Sequence, residues 1–250
     1  MHKFANPTQF MRIANAIYPW VAGACVLLFA AAIPIALVVS PPDYQQGDTV
    51  RIMYIHVSSA WLMMMIYGII AANSAMFLIW RHPMANLVAR ASAPMGAVFC
   101  ALALITGMLW GQPMWGTFWV WDARLTSTLI LFFLYIGYIA LADAFEDSER
   151  GDKAAAILAL VGSVNVPIIH FSVEWWNTLH QPSIIKASKE GVDSSVHGSI
   201  LLPLFLMMGA FTMFYFALLV LRLRSELLAA KIRNARLSQI AGQSAAQPAE

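Results

Sequence analysis

The chain has 250 residues, of which 60% are hydrophobic and 11% charged, with a mean hydropathy of +0.68. Soluble domains carry roughly 25% charged residues, so this composition excludes a soluble globular protein. A formal net charge of +2 gives no footing for a nucleic-acid partner, whose phosphates must be met by many Lys and Arg side chains.

Stretches free of Asp, Glu, Lys and Arg run over 13–42, 52–80, 91–121, 125–142, 154–173 and 194–221. A helix crosses the hydrocarbon core with roughly 20 residues, so each stretch holds one predicted span: 17–39, 54–80, 91–111, 125–142, 154–172 and 199–221. Strands of a membrane barrel would instead show alternating ten-residue segments. The expected fold is an all-α integral membrane protein, a bundle of six transmembrane helices with a tryptophan-rich periplasmic loop between helices 3 and 4. Three segments are expected: a cytoplasmic N-terminus over 1–16, the transmembrane unit over 17–221, and a basic cytoplasmic tail over 222–250. Pro34, Pro94, Pro167 and Pro203 fall within the spans as candidate helix breaks.

The first span reads as a retained helix, because its apolar core is too long for a signal peptide and no small-residue cleavage site follows it. Cys25 within it, and Cys100 in the third span, read as small buried hydrophobes. The first outer loop, 40–51, is Ser-Pro-Pro-Asp-Tyr-Gln-Gln-Gly-Asp-Thr-Val-Arg, a turn-forming composition. It delivers Arg51, and His56 follows in the first turn of span two. Arg81-His82-Pro83 closes that span on the other side.

Between spans three and four, residues 115–122 read Trp-Gly-Thr-Phe-Trp-Val-Trp-Asp. As a helix this segment would set Trp115, Trp119 and Asp122 on one face. As a strand it would pair Trp119 with Trp121. An aromatic belt at the membrane surface explains such a cluster, and so does a shelf for a large flat apolar ligand with a polar edge. Residues 143–153 form a mixed-charge loop, and 173–198 is the longest outer loop, containing Glu174-Trp175-Trp176-Asn177-Thr178-Leu179-His180-Gln181-Pro182. The basic stretch after 222 suits a helix that continues past the membrane or lies on anionic lipid, and its Ala-, Gln- and Ser-rich end has a disordered composition.

Lys and Arg set the orientation. Lys3, Arg12, Arg81, Arg90, Arg150, Lys153, Arg222, Arg224, Lys231, Arg233 and Arg236 fall on one side, and Arg51, Arg124, Lys186 and Lys189 on the other. The positive-inside rule then puts both termini in the cytoplasm and the tryptophan-rich loop in the periplasm.

The outer segments bring together His56 and His180, with Trp110, Trp115, Trp119, Trp121, Trp175 and Trp176 and the cations Arg51 and Arg124. Neutral imidazole is the commonest metal ligand among side chains. Two imidazoles from separate segments suit the two axial faces of a haem iron, tryptophans bed the porphyrin, and cations or N–H donors meet its propionates. Alternative readings stand beside these. Arg51 and Arg124 also suit snorkelling at helix ends. Asp122 suits pairing with Arg124 or capping span four. His2, His82 and His197 read as terminal or helix-end residues, and His170 as support for a ligand or a structural partner of Glu174.

These residues resemble a known family. Trp-Gly-Thr-Phe-Trp-Val-Trp-Asp-Ala-Arg-Leu-Thr-Ser is similar to the "WWD" signature of haem-handling membrane proteins. Pro42-Asp43-Tyr44-Gln45-Gln46-Gly47 with Ile55-His56-Val57, and Val173 to Gln181, resemble the first and third outer loops of the haem exporter protein C family, CcmC. The likeness covers residues 15 to 225. It implies a role in system I cytochrome c maturation, with haem b held at the periplasmic face by two axial histidines that map to His56 and His180. It implies that Trp115, Trp119, Trp121 and Asp122 contact haem and the haem chaperone CcmE, with Arg51, Arg124, Trp175 and Trp176 around the haem edge. It further implies partnership with CcmD and with the ABC transporter subunits CcmA and CcmB in the bacterial inner membrane. The expectation is a haem-binding and transfer platform, not an enzyme. Its alternative is a permease subunit that moves haem or a small solute across the bilayer, for which no ionisable residue lies at mid-depth.

Overall fold

A computed structural model describes residues 7–180, 185–188, 191–194 and 197–246. The helices are α1 (Pro7–Pro34), α2 (Val50–Trp80), α3 (Pro83–Trp115), α4 (Ala123–Asp143), α5 (Ser148–Gly162), α6 (Asn165–Trp175) and α7 (Gly198–Ala246). The one addition among the described residues is an antiparallel hairpin of β1 (Ile185–Ser188) and β2 (Gly191–Ser194), with Ile185 opposite Ser194. Six helical segments are long and apolar enough to cross a membrane: Gln9–Val39, Val50–Trp80, Pro83–Trp115, Ala123–Asp143, Ser148–Trp175 and Gly198–Ala229. The six-helix expectation holds.

The helix boundaries follow local chemistry. Arg81 turns left-handed (φ 52°) and closes α2 by donating its N–H to the Phe77 carbonyl. His82 then caps α3, accepting from the Ala85 amide at Nδ1 (3.3 Å), with Pro83 in the first turn where no N–H is needed. Asp122 caps α4 and Asp147 caps α5 in the same manner.

Three features depart from uniform spans. The first helix begins at Pro7, ahead of the expected 17, and Pro34 leads into a π-helical turn over Ile35–Val39. The fifth span is two helices, α5 and α6, interrupted at Ser163 and Val164. Pro167 lies in the first turn of α6, where its missing N–H costs nothing. Pro94 and Pro203 sit inside unbroken helices. The third departure is α7, which runs on through the basic stretch to Ala246 as one element. Lys3, Lys189, His2 and residues 247–250 lie outside the described residues.

The bundle core is built on the long α2–α3 contact, with α1 against α7 and α4 against α5. Tyr54, Tyr67, Tyr135, Tyr138 and Tyr215 are all fully buried there. In a medium without water each hydroxyl needs an internal partner. Tyr135 donates to the Met63 carbonyl (2.6 Å), Tyr215 bonds Ser92 (2.9 Å) and Tyr54 bonds Ser40, whereas the Tyr67 hydroxyl is buried without a partner. Tyr135 also lies edge-on to Tyr67, ring centroids 5.1 Å apart, in a slot left open by Gly96.

At the end opposite the tryptophan-rich loop, Arg90 ties three helices together. It bonds the Ala142 carbonyl (3.1 Å), Asp152 (2.6 Å) and Asp143, and Asn86 completes Asp152 at 2.6 Å. Asp152 is 14% exposed and Arg90 33%. Arg90→Met strands a largely buried carboxylate, so it is expected to destabilise the protein by about 1–2 kcal/mol after allowance for solvent at the arginine. Lys153→Met breaks only the more exposed bond to Glu149 and is expected to cost less than about 0.5 kcal/mol. Thermal unfolding in detergent separates the two.

Candidate functional site

The site lies at the tryptophan-rich end, where loop 40–49, the end of α3, the start of α4 and the segment after α6 meet. The loop is self-bracing. Asp43 Oδ1 accepts from the Gln45 and Gln46 amides (both 2.9 Å), and Thr49 Oγ1 donates to the Gln46 carbonyl (2.6 Å). That leaves the Gln46 side chain aimed at α3, where Oε1 accepts from Trp110 Nε1 at 2.9 Å. Arg51 reaches Asp48 (3.2 Å) and the Ser40 carbonyl (3.5 Å), while its Nε is shielded and unpartnered.

His56 is half-buried in the first turns of α2 and points at α3. Its Nδ1 lies 3.0 Å from the Ala103 carbonyl and 3.2 Å from Thr106 Oγ1. The Thr106 hydroxyl donates to Leu102 (2.7 Å), so both groups facing Nδ1 act as acceptors. The network therefore assigns the proton to Nδ1 and leaves Nε2 with a free lone pair. The ring stands edge-on to Trp110 (centroids 5.6 Å, 65°). It fits because Gly107 has no side chain: a Cβ there would sit 3.0 Å from His56 Cε1.

The tryptophan-rich segment is neither of the two regular forms expected. Helix α3 ends at Trp115, and Gly116 (φ 74°) closes it by donating to Gln112 at 2.9 Å. Thr117 Oγ1 then donates to the Trp119 carbonyl (3.1 Å), and the chain runs irregularly into Asp122. Trp115 and Trp119 therefore share no helical face. Trp119 and Trp121 meet edge to face (5.4 Å, 76°), with Trp119 half-buried, its Nε1 shielded and unpartnered, and Trp121 75% exposed. Phe118 is exposed as well.

Asp122 is buried. Its Oδ1 accepts from the Leu125 amide (2.7 Å), the helix-capping role, and its Oδ2 lies 3.7 Å from His180 Nδ1. Burial works to raise the Asp122 carboxyl, but His180, the Leu125 amide and Arg124 more than offset it, and it titrates below the usual carboxylate range. His180 sits between this carboxylate and the Trp115 ring (centroids 5.1 Å, 58°), with its side chain 19% exposed. His56 lies against Gly107 and the Trp115 ring that carries His180 lies against Gly111, one turn further along α3.

Arg124 turns to α6 rather than pairing with Asp122. Its Nε donates to Ser172 Oγ (3.0 Å) and its Nη2 to the Ile169 and His170 carbonyls (3.3 and 3.1 Å). These satisfy carbonyls near the end of α6 and hold that helix against α4. Trp175 and Trp176 form an exposed ledge beyond it. Trp175 stacks on Phe171 (5.4 Å, 22°) and meets Trp176 at 5.7 Å. His170 is exposed with its ring against Phe171, and its backbone carbonyl is what reaches Arg124. His197 is a helix-start residue, bonding Ser199 Oγ at 2.9 Å.

Gln46, Ala103, Thr106 and Ser172 hold the site and were not singled out by residue type. One signal was present: Ala103, Gly107 and Gly111 repeat at intervals of four along α3, a small-residue stripe against which His56 and the Trp115 ring lie. Among the described residues no group of three or more His, Cys, Asp or Glu side chains gathers as for a chelated ion.

A family model described as "Heme exporter protein C" matches residues 1–238. A heme exporter protein C of Bradyrhizobium diazoefficiens is 48% identical over 235 residues, covering 94% of this chain and 88% of the relative. That of Escherichia coli is 42% identical over 240 residues, covering 96% of each. A chain of Marchantia polymorpha, named as a ccmC-like mitochondrial protein of cytochrome c biosynthesis, is 48% identical over 189 residues, covering 76% of this chain and 78% of its own length. With the family model matched over nearly the whole length and relatives 42–48% identical across it, the chain belongs to the haem exporter protein C (CcmC) family.

Proposed function

We propose that this protein is a haem-handling platform of cytochrome c biogenesis, seated in the bacterial inner membrane with both termini cytoplasmic and the site periplasmic. Haem b is its cargo, held between His56 and His180 as axial ligands and presented to the chaperone CcmE in a complex with CcmD, CcmA and CcmB. The observation that carries the reading is that two half-buried imidazoles from distant segments lie along the same end of α3, His56 with Nε2 free against Gly107 and His180 packed on Trp115, whose ring covers Gly111 one turn further on.

The surroundings suit an iron porphyrin. Trp110, Trp115 and Trp119 supply apolar walls, and Trp119 Nε1 and Arg51 Nε are shielded donors without a partner, a costly state that a propionate relieves. Two axial imidazoles close both open positions of the iron, which keeps oxygen from it while the haem waits. Trp121 and Phe118, exposed at the rim, offer the chaperone an apolar contact that leaves the ligands untouched. The protein binds and orients, and the haem carries the reactivity.

The permease alternative has less support. The bundle has an apolar groove of about 450 Å³ among α1, α3 and α7, lined by Phe29, Phe99, Phe211, Phe214 and Leu218 with Arg222 at one end. A conduit for a charged solute calls for polar groups or broken helices at mid-depth; the broken span, at Ser163 and Val164, contributes nothing to this lining, whose one charged residue is Arg222 at its end.

The visible spectrum of detergent-purified protein tests the proposal. Wild type is expected to carry a six-coordinate low-spin haem. His56→Ala and His180→Ala are each expected to lose most of the haem or convert it to another coordination state, while His170→Ala and His197→Ala match wild type. Well-folded protein without haem in every sample would sink the reading.

A further inference from the structure

We infer that Asp122 is a positioning residue that makes His180 the stronger electron donor of the two imidazoles and thereby holds the bound iron in its oxidised state. The inference rests on the two-histidine reading above.

The two imidazoles are backed by different chemistry. His56 Nδ1 faces the Ala103 carbonyl at 3.0 Å and the Thr106 hydroxyl at 3.2 Å, both neutral. His180 Nδ1 faces a carboxylate oxygen, Asp122 Oδ2, at 3.7 Å. Both atoms of this second pair are shielded from solvent and lack any other hydrogen-bond partner. Buried polar atoms left so are costly, and a small rotation of the His180 side chain joins them. The other Asp122 oxygen cannot serve, because it is committed to the Leu125 amide at 2.7 Å. The Trp115 ring on His180 limits which way the imidazole turns. A carboxylate that accepts the Nδ1 proton pushes electron density onto the ring and raises the donor strength of Nε2, whereas a neutral carbonyl or hydroxyl does so less. A stronger donor favours Fe(III) over Fe(II). The cap and the ligand support thus share one side chain, which couples the start of α4 to the third outer loop.

Asp122→Asn is a direct test, because asparagine keeps Oδ1 as the capping oxygen and puts an uncharged NH2 group, which cannot accept the Nδ1 proton, where Oδ2 faces His180. The readout is an optical redox titration of the haem-loaded, full-length protein in detergent. A purely structural role would change haem content without moving the potential. Asp122→Asn is expected to raise the reduction potential with the bis-imidazole spectrum retained, Asp122→Glu to return it toward wild type, and Thr106→Val to move it less. An unchanged potential in haem-bearing Asp122→Asn overturns the inference and leaves the two-histidine reading standing; a wild-type spectrum in His180→Ala overturns that reading itself. If Asp122→Asn loads too little haem to titrate, the low-spin electron paramagnetic resonance of the residual oxidised haem decides. A largest g value above that of wild type supports the inference, and an identical value overturns it.

Discussion

Gly107→Val is expected to reduce the haem content of the purified protein at least tenfold while the protein still accumulates in the membrane. The Cβ of any residue at 107 meets His56 Cε1 at 3.0 Å, and the two valine methyl groups extend further into the ring. The imidazole has one way out, which is to swing off α3 and give up its bonds to Ala103 and Thr106. Overpacking of this kind costs typically about 1–3 kcal/mol, a price the α2–α3 contact tolerates, because the ring sits at its edge and is half-buried. Haem binding would not tolerate it, since the bonds to Ala103 and Thr106 are what hold His56 Nδ1 and so orient Nε2 for the iron. Gly107→Ala is expected to lose part of the haem. Gly23→Val, at a position with nothing within 4 Å of the added Cβ, is expected to retain all of it. Haem content per protein, read from the absorption spectrum against a protein assay, separates the three.

Gly96→Val is expected to prevent accumulation altogether. A Cβ at 96 would lie 2.1 Å from Tyr135 Cε1 and 2.5 Å from its hydroxyl oxygen. Tyr135 has no room to yield: it is fully buried, its hydroxyl donates to the Met63 carbonyl, and Tyr67 closes the slot from the side. Moving the ring orphans the Tyr135 hydroxyl in a water-free core and breaks the packing of α2, α3 and α4 together, at a cost above about 3 kcal/mol. Tyr135→Phe removes only the hydroxyl, and at about 1–2 kcal/mol it is expected to accumulate at a reduced level. The decisive measurement is the double variant: Gly96→Val with Tyr135→Ala frees the slot and is expected to accumulate better than Gly96→Val alone, the mark of direct coupling. Equal failure of the single and double variants would mean that Gly96 matters for another reason.

Much of this was legible in the linear chain. Charge-free runs long enough to cross a bilayer gave six helical segments, because in lipid a spanning segment must be apolar and must satisfy its own backbone. Histidine and tryptophan stand out in such a sequence, so His56, His180 and residues 115–122 were visible by type alone. Of the two local readings of Asp122, pairing with Arg124 and capping span four, the cap is the one found, because an acid at a helix start meets a free backbone N–H there.

What the chain did not disclose depends on contacts between segments far apart. Of the four prolines within the spans Pro167 alone follows a break into two helices, at Ser163 and Val164, while Pro94 and Pro203 sit in unbroken helices, a difference that residue type does not disclose. The partner of Arg124 proved to be the end of α6 rather than Asp122 two residues away, because helix geometry turns the two side chains toward different neighbours. The tautomer of His56 follows from Ala103 and Thr106, which meet it only because α2 packs closely on α3 at Gly107. Residue types and span lengths, governed by the bilayer and by local capping, were thus set by the sequence itself. Which nitrogen of His56 is free, and what stands behind each imidazole, was decided by the tertiary structure, because a hydrogen bond between helices exists only where their packing brings donor and acceptor within about 3 Å.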